Sequence, residues 1–488
     1  MMRLEDLLAE LEYSIICGDT DDAIVTDVVM DTRKLKPGCL FVCITGANFD
    51  GHTFATEAVS KGAAVLITEK DVTVPEDSDT VIVRVEDTRK ALAYISSAWF
   101  DHPAEKLTTI GVTGTKGKTT TTYLIKHMLE NAGHKVGLVG TIETIIGDEH
   151  IPAENTTPES LILQGYFADM VKAGIDSVVM EVSSQALMLH RTDGFIFDYG
   201  VFTNISPDHI GKNEHKDFDD YLHCKSLLFS QCRTGLLNGD DKHLKDILKN
   251  STCETETFGL SEECDLRADN IKLVNGGSYL GVSFDTKGLM DDAFRCDMPG
   301  RFTVYNALCA IAVSRHFNVS AEDMNKALQS AKVKGRIEMI PLSPDYTLMI
   351  DYAHNAMALE SLLSTLKEYE PGRLVTLFGC GGNRAKDRRF EMGEVSGRLS
   401  DLTIITSDNP RFEKPEDILD DIETGIKKTG GEYIRIADRK EAIAYAIHNA
   451  KKGDVIVLAG KGHEDYQEIE GVKHPMDERV LIDEIMHE

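Results

Sequence analysis

Basic residues are scarce in this chain of 488 residues: 52 lysines and arginines stand against 81 aspartates and glutamates, a net charge of −29. That balance excludes a nucleic acid or an anionic membrane surface held by general electrostatics. It leaves room for an anionic small molecule in a local basic pocket. No apolar run approaches the ~18 residues that a membrane-spanning helix needs. The first residues, MMRLEDLLAELEYSIICGD, carry acids inside their apolar pattern and lack the layout of a signal peptide. The ten cysteines include no C-x-x-C pair, so a zinc site lacks its ligand spacing. Reduced, buried thiols and a cytoplasmic location are expected. Internal repeats and low-complexity segments are also missing. What remains is a soluble globular composition, 42% hydrophobic and 27% charged, long enough for two to four domains. A monomer acting on small molecules is expected.

Short strands alternate with helical stretches, which implies α/β architecture with parallel sheets. In residues 1–102, CLFVCIT (39–45) and AAVLITE (63–69) read as strands. Residues 46–51 read as a loop, and Asp101-His102-Pro103 as a linker. From residue 103 to 334, TTIGVT (108–113), VGLVGT (136–141), DSVVMEV (176–182) and YGVFTNI (199–205) read as strands, with a helix over 121–133. From 335 to 488, four apolar runs each end in a charged or glycine-rich tip: YTLMIDYAH, RLVTLFGCGG, DLTIITSDNPR and DVIVLAGKGHE. In open parallel sheets ligands lie beyond the carboxyl ends of the strands, so these four tips are expected to converge on one crevice.

The stretch GVTGTKGKTT (111–120) sits between a strand and a helix and resembles a phosphate-binding loop. Five residues rather than four separate Gly111 from Gly117, but Gly114-Thr115-Lys116-Gly117-Lys118-Thr119-Thr120 keeps the working end. Its glycines let backbone N–H groups face phosphate oxygens. Lys118 supplies a point charge, Thr119 can hold Mg²⁺, and the helix points its positive end at the anion.

TGTKGKTTT looks like the ATP loop of the Mur ligases, the amide-forming enzymes of peptidoglycan precursor synthesis. The resemblance runs in order along the chain, through DTR (31–33), NTTP (155–158), EVSSQAL (181–187), HR (190–191), TNISPDH (203–209), HCKSLLF around Lys225, GRFTVYNALCA (300–310), GRIE (335–338), DYAH (351–354), GCGGNR (379–384), SDNPR (407–411) and AGKGHE (459–464). It implies three domains: a small N-terminal α/β domain (1–102) for a UDP-sugar substrate, a central parallel-sheet ATPase domain (103–334), and a C-terminal Rossmann-like domain (335–488) for an amino acid. The implied reaction is ATP-dependent amide formation through an acyl phosphate. The implied substrates are a UDP-muramoyl dipeptide, ATP and meso-diaminopimelate, with Mg²⁺ as cofactor.

Site roles follow by the same resemblance. Glu181, His209 and Lys225 join Lys118 as catalytic residues. Thr119, Glu181 and His209 are expected to bind magnesium, as is Lys225 once carbamylated by CO₂. Asn306, Arg336, Asp351 and His354 are expected on ATP. Thr32, Asn155, Thr156, Thr157, Ser184 and Arg191 are expected on the UDP substrate, the last because a planar guanidinium binds two oxygens of one anion. Arg384, Asp408, Asn409, Pro410, Arg411, Gly460 and Glu464 are expected on the amino acid. Meso-diaminopimelate carries a distal carboxylate that lysine lacks. Arg411 backed by Arg384 suits that group, while Asp408 and Glu464 suit an ammonium. An arginine facing lysine's ammonium would be a like-charge contact.

The chain departs from the family pattern at three places. Asn355-Ala356 replaces Thr-Pro after DYAH, Asn383 and Ala385 replace the aspartates of G-G-D-R-D, and Gln185 stands where histidine is frequent. Three other readings share the phosphate loop. A paralogue could add lysine or another amine. A nucleotide-dependent switch would need an N-K-x-D signature, which is missing. A folate polyglutamylating enzyme would begin almost directly at the ATP domain, whereas about a hundred residues precede it here.

Overall fold

Short β-branched runs bounded by glycine and polar turns make the strands, and amphipathic stretches between them make the helices. The computed structural model describes residues 1–20, 23–46, 49–75, 78–211 and 214–488. Ala47 and Asn48, within the loop expected at 46–51, lie outside the described residues. The architecture is α/β, as expected. The chain packs into two compact units, one of residues 1–265 with 309–319, the other of residues 266–308 with 320–488.

The first unit contains, besides the short antiparallel pair Met2–Arg3 with Ile24–Val25, two sheets that bear on the site. The smaller has the strand order Ser14–Cys17, Val81–Arg84, Val65–Thr68, Leu40–Val42, Val28–Val29. Only its first pairing is antiparallel. Helix Thr88–Trp99 covers it, burying Leu92 and Ile95 against Leu40, Val65 and Val83. Asp87 caps this helix by accepting from the Arg89 and Lys90 N–H groups.

In the larger sheet, strand Thr108–Thr113 lies between Ser177–Glu181 and Phe197–Phe202, parallel to both. The chain runs outward from Thr108–Thr113 to Val136–Val139, returns through Ser177–Glu181, and then crosses to Phe197–Phe202 on the other side. This reversal opens a crevice at the carboxyl end of Thr108–Thr113, where the phosphate loop begins. The helix after the loop runs from Lys118 to Asn131, three residues earlier in its start than the sequence pattern suggested. The pattern was masked by the run of threonines, which are weak helix formers held here by burial of Thr119, Thr121 and Thr122.

The second unit holds an antiparallel meander, Leu266–Asn275, Leu280–Gly288 and Ala293–Cys296. It also holds a six-stranded sheet in the order Glu338–Ile340, Thr347–Asp351, Asp454–Ala459, Arg373–Phe378, Leu402–Ile405, Tyr433–Arg435. All but the first pairing are parallel. The strand ending at Ala459 lies between those ending at Asp351 and Phe378, so the four tips meet at one end of the sheet. Two helices back these tips, Asp387–Leu399 after GCGGNR and Pro415–Lys427 after SDNPR. They approach through glycines. A Cβ on Gly425 would lie 2.1 Å from the Phe390 carbonyl oxygen, and one on Gly393 would lie 2.2 Å from that of Ile422.

Gly425→Ala is therefore expected to push these helices apart and destabilise the fold by about 1–3 kcal/mol. Urea unfolding followed by circular dichroism would show a lower midpoint, and an unchanged midpoint would contradict the close-packing account.

Candidate active site

Glycine is obligatory in the phosphate loop. Gly114 has φ +152°, and a Cβ there would lie 2.0 Å from Thr203 Oγ1. Gly117 enters the helix at φ +86°. The loop is laced to the neighbouring strand tip. Asn204 accepts from Lys116 N–H at 3.0 Å and donates to Lys116 O at 2.9 Å, while Thr115 N–H donates to Asn204 O at 2.9 Å. Thr203 Oγ1 donates to Lys116 O at 2.8 Å. Thr203 and Asn204 stand in TNISPDH, but nothing in that motif alone showed that they brace the loop.

Two lysines converge on one oxygen. Lys118 Nζ donates to Gly114 O at 2.8 Å, and Lys225 Nζ donates to the same oxygen at 2.9 Å. Lys225 is buried on helix Phe218–Ser226 and lies 4.7 Å from the centre of the Tyr221 ring. Burial, then the charge of Lys118, pushes its ammonium well below the ordinary lysine value. Its place in YLHCKSLLF matches a solvated helix face; only the fold buries it.

Glu181 ends the strand beside the loop and is buried. It accepts from Thr119 Oγ1 at 3.1 Å, Thr141 N–H at 2.8 Å and Thr141 Oγ1 at 3.0 Å. Thr141 also meets Thr156 Oγ1 at 3.1 Å, and Thr157 Oγ1 donates to Glu181 O at 2.8 Å. Thr119, Glu181, Thr156 and Thr157 therefore come together as one oxygen-rich cluster. Thr120 follows in the same helix, half-buried.

His209 stands elsewhere. Its side chain is 53% exposed, its backbone has φ +53°, and Nδ1 lies 3.4 Å from Glu214 Oε1. Among the described residues no hydrogen bond or ion pair joins it to Glu181. It lies seven residues beyond strand Phe197–Phe202, in a loop.

Among the candidates for the UDP substrate, Arg191 differs most from expectation. Its fork is already engaged: one arm donates to Thr157 O at 2.9 Å and the other pairs with Glu159 at 2.7 Å, leaving Nε buried without a partner. Glu159 also pairs with Arg89 at 3.2 Å, and His190 with Asp87 at 3.7 Å, so this segment is tied to the smaller sheet. Ser184 is buried in the first turn of helix Ser184–Met188, and its hydroxyl lies 2.8 Å from His215 Nε2. Thr32 opens a short turn whose backbone is capped by Asp31, and Asn155 is exposed.

In the second unit, Asp351 is buried and accepts from the N–H groups of Ile337 and Ala353, both at 2.8 Å. Burial raises its carboxyl above the usual range, opposed by Arg336. Arg336 lies 5.0 Å from the Tyr352 ring centre with its Nε buried and unpartnered, and Tyr352 packs between His354 and His463. Desolvation pushes the His463 imidazole down to about 4. Asn306 is buried in helix Arg301–His316. Asn355 accepts from Ala358 N–H at 2.9 Å and caps helix Ala356–Lys367. That cap is a service threonine performs equally, so this departure keeps the local structure.

The SDNPR corner is the most tightly built part of the unit. Gly460 is so close that a Cβ would lie 3.2 Å from Asp408 Oδ2, and Gly382 N–H donates to Asn409 O at 2.8 Å. Pro410 O presses on Gly382, where a Cβ would lie 2.0 Å away. Lys461 is fully buried and donates to Asn409 Oδ1 at 2.9 Å, Glu464 Oε2 at 2.8 Å and Tyr466 O. Glu464 thus has its charge matched internally. Asp408 Oδ1 accepts from Asn409 N–H at 2.6 Å. Arg411, at φ +53°, donates from Nε to Glu468 at 2.9 Å and from Nη1 to Gly382 O at 2.8 Å. Among the described residues its second terminal nitrogen has no hydrogen-bond partner. Arg384 is exposed beside Gly381. Asn383, at φ +54°, accepts from Phe412 N–H at 3.1 Å and donates its own N–H to Glu413. Asparagine and aspartate both tolerate that conformation and offer that acceptor, so the change at Asn383 preserves the corner. Lys461 and Glu468 escaped sequence reasoning although GKGHE was recognised.

Comparison with known proteins agrees with this geometry. Residues 25–100 match the family model for the Mur ligase family, catalytic domain; residues 112–314 match the Mur ligase middle domain; residues 335–462 match the Mur ligase, glutamate ligase domain. A UDP-N-acetylmuramoyl-L-alanyl-D-glutamate–2,6-diaminopimelate ligase of Caldanaerobacter subterraneus is 44% identical, over 100% of this chain and 99% of its own. One from Clostridium acetobutylicum is 42% identical over the full length of both. A solved structure of a ligase of that name superposes with a TM-score of 0.76 at 27% identity, covering 100% of this chain and 99% of the other. With a phosphate loop, an oxygen-rich acidic cluster beside it and these full-length likenesses, the chain belongs to the Mur ligase family.

Proposed function

We propose that the protein joins meso-2,6-diaminopimelate to UDP-N-acetylmuramoyl-L-alanyl-D-glutamate in the cytoplasm, as a monomer, with hydrolysis of ATP. The likeness to full-length relatives bearing that name supports the reaction. The observation that carries the choice of amine is the SDNPR corner, where Arg411 is held by Glu468 and Gly382 O through Nε and Nη1 only and Asp408 stands three residues before it. A guanidinium suits the distal carboxylate and an acid suits the neighbouring ammonium.

The chemistry has two steps. The dipeptide's free carboxylate oxygen attacks the γ-phosphorus of ATP and ADP leaves, which turns an unreactive carboxylate into an acyl phosphate. The amine then attacks that carbonyl carbon, the C–O bond to phosphate breaks, and the amine loses a proton as the amide forms. Phosphoryl transfer depends on positioning and charge neutralisation. Gly114 to Thr120 hold the phosphates, with Lys118 at the outer ones. Asn306, Arg336, Asp351 and His354 remain assigned to ATP, and Thr32, Asn155, Thr156, Thr157, Ser184 and Arg191 to the UDP substrate, by family resemblance. Domains 1–102, 103–334 and 335–488 are assigned to UDP substrate, ATP and amino acid in that order.

Magnesium fits the cluster at Thr119 and Glu181, whose donors are all oxygen. When bound, the ion neutralises charge on the phosphates. His209 would reach it only after leaving Glu214. Lys225 as an amine offers no oxygen. Its depressed ammonium, however, makes the neutral amine available to CO₂. The nitrogen would bond to carbon, a proton would leave, and the resulting carbamate would be a further oxygen ligand.

The decisive test is phosphate release by the purified protein with ATP, UDP-muramoyl dipeptide and a panel of amines. Meso-diaminopimelate is expected to be preferred; preference for lysine overturns the amine assignment, and ATP hydrolysis without amide product favours a nucleotide switch. Arg411→Ala should raise KM for diaminopimelate by about tenfold or more while KM for ATP stays within about twofold. For Lys225→Ala, activity should fall by at least about a hundredfold and recover partly with added short carboxylic acids. Full activity without rescue would remove Lys225 from the mechanism.

A further inference from the structure

The helix Phe218–Ser226 serves the site with more than Lys225. Five residues earlier, in its first turn, Asp220 faces the ring of His215. His215 Nδ1 lies 3.0 Å from Asp220 Oδ2, and its Nε2 lies 2.8 Å from Ser184 Oγ. The His215 side chain is fully buried, packed at 5.1 Å on the Tyr221 ring, whose hydroxyl meets Thr115 of the phosphate loop at 3.0 Å. A carboxylate, an imidazole and a serine hydroxyl thus form one hydrogen-bonded line that ends at a residue assigned to the UDP substrate. The Cys224 thiol completes a trio of metal-ligating types with ligand atoms within 4.8 Å of one another. Both ring nitrogens already hold partners and burial pushes the thiol up to about 11, so the hydrogen-bonded line accounts for the cluster without an ion.

We infer that Asp220 and His215 position the Ser184 hydroxyl for the UDP-muramoyl dipeptide. An ionised carboxylate only accepts, so Asp220 makes Nδ1 the protonated nitrogen of the neutral ring. Nε2 then accepts the Ser184 proton, which fixes the hydroxyl rotamer and leaves the oxygen's lone pairs toward the ligand. One carboxylate sets the tautomer, and the tautomer sets which way Ser184 faces. This is a positioning role, because neither Asp220 nor His215 is assigned to the reacting atoms. The same histidine also orders its own loop, since its N–H donates to His209 O at 3.0 Å and its carbonyl accepts from Gly211 at 3.1 Å.

The inference rests on the reading of Ser184 as a contact to the UDP substrate, and the test separates the two. KM for UDP-muramoyl dipeptide, KM for ATP and kcat are measured for Ser184→Ala, His215→Gln, Asp220→Asn and the Ser184→Ala/His215→Gln pair in the full-length enzyme. Asp220→Asn keeps the volume but can donate to Nδ1, which reverses the tautomer. It should raise KM for the dipeptide by about tenfold with KM for ATP within about twofold. Ser184→Ala should do the same, and the double variant should be no worse than the worse single. Additive effects of Ser184→Ala and His215→Gln, or an Asp220→Asn enzyme with unchanged KM for the dipeptide, overturn the inference alone. An unchanged KM in Ser184→Ala overturns the substrate role of Ser184 and the inference together. If His215→Gln fails to fold, Asp220→Asn set against Ser184→Ala decides.

Discussion

Two ammonium groups share the carbonyl oxygen of Gly114, and the character of the first unit follows from that arrangement. Like charges on one acceptor in a buried place are costly unless one gives up its proton or an anion arrives. Burial, then the charge of Lys118, pushes the Lys225 ammonium well below the ordinary lysine value. The loop that holds the shared carbonyl can be laced this closely only because Gly114 and Gly117 have no side chain. Thr203 and Asn204 then brace it at Lys116, and Tyr221 at Thr115.

The second unit solves the opposite problem. There the buried cations meet acids of the same corner: Lys461 pairs with Glu464 and also donates to Asn409, and Arg411 pairs with Glu468. A buried lysine among three acceptors loses little freedom on ligand binding, so the corner is pre-organised. Part of the Arg411 fork is committed to Glu468 and Gly382 O, which restricts what its remaining edge can accept. The geometry of the Arg411 fork therefore belongs to a small network rather than to one arginine.

Several features were legible in the sequence because they are local. The phosphate loop, the strand alternation and the four polar tips depend on glycine conformations and side-chain periods within a few residues. The departures at Asn355 and Asn383 looked disruptive as letters. In the structure each supplies the same acceptor to the same kind of backbone N–H, a helix cap in one case and the Phe412 amide in the other. Arg191 shows the opposite case. Its guanidinium read as a clamp for a substrate anion, yet Glu159 and the Thr157 carbonyl take its two arms. Nothing near position 191 in the chain announces a carboxylate at 159.

The sequence by itself determined the fold class, the order of the strands and helices, the phosphate loop and the family likeness, because these rest on short-range backbone preference and on motif order. Only the tertiary structure decided the charge and orientation of the working groups. It buried Lys225 beside Lys118, placed His209 in an exposed loop, set His215 between Asp220 and Ser184, and gave Arg411 its partner. Those outcomes depend on desolvation and on contacts between residues as far as 111 positions apart, and neither can be read from local pattern.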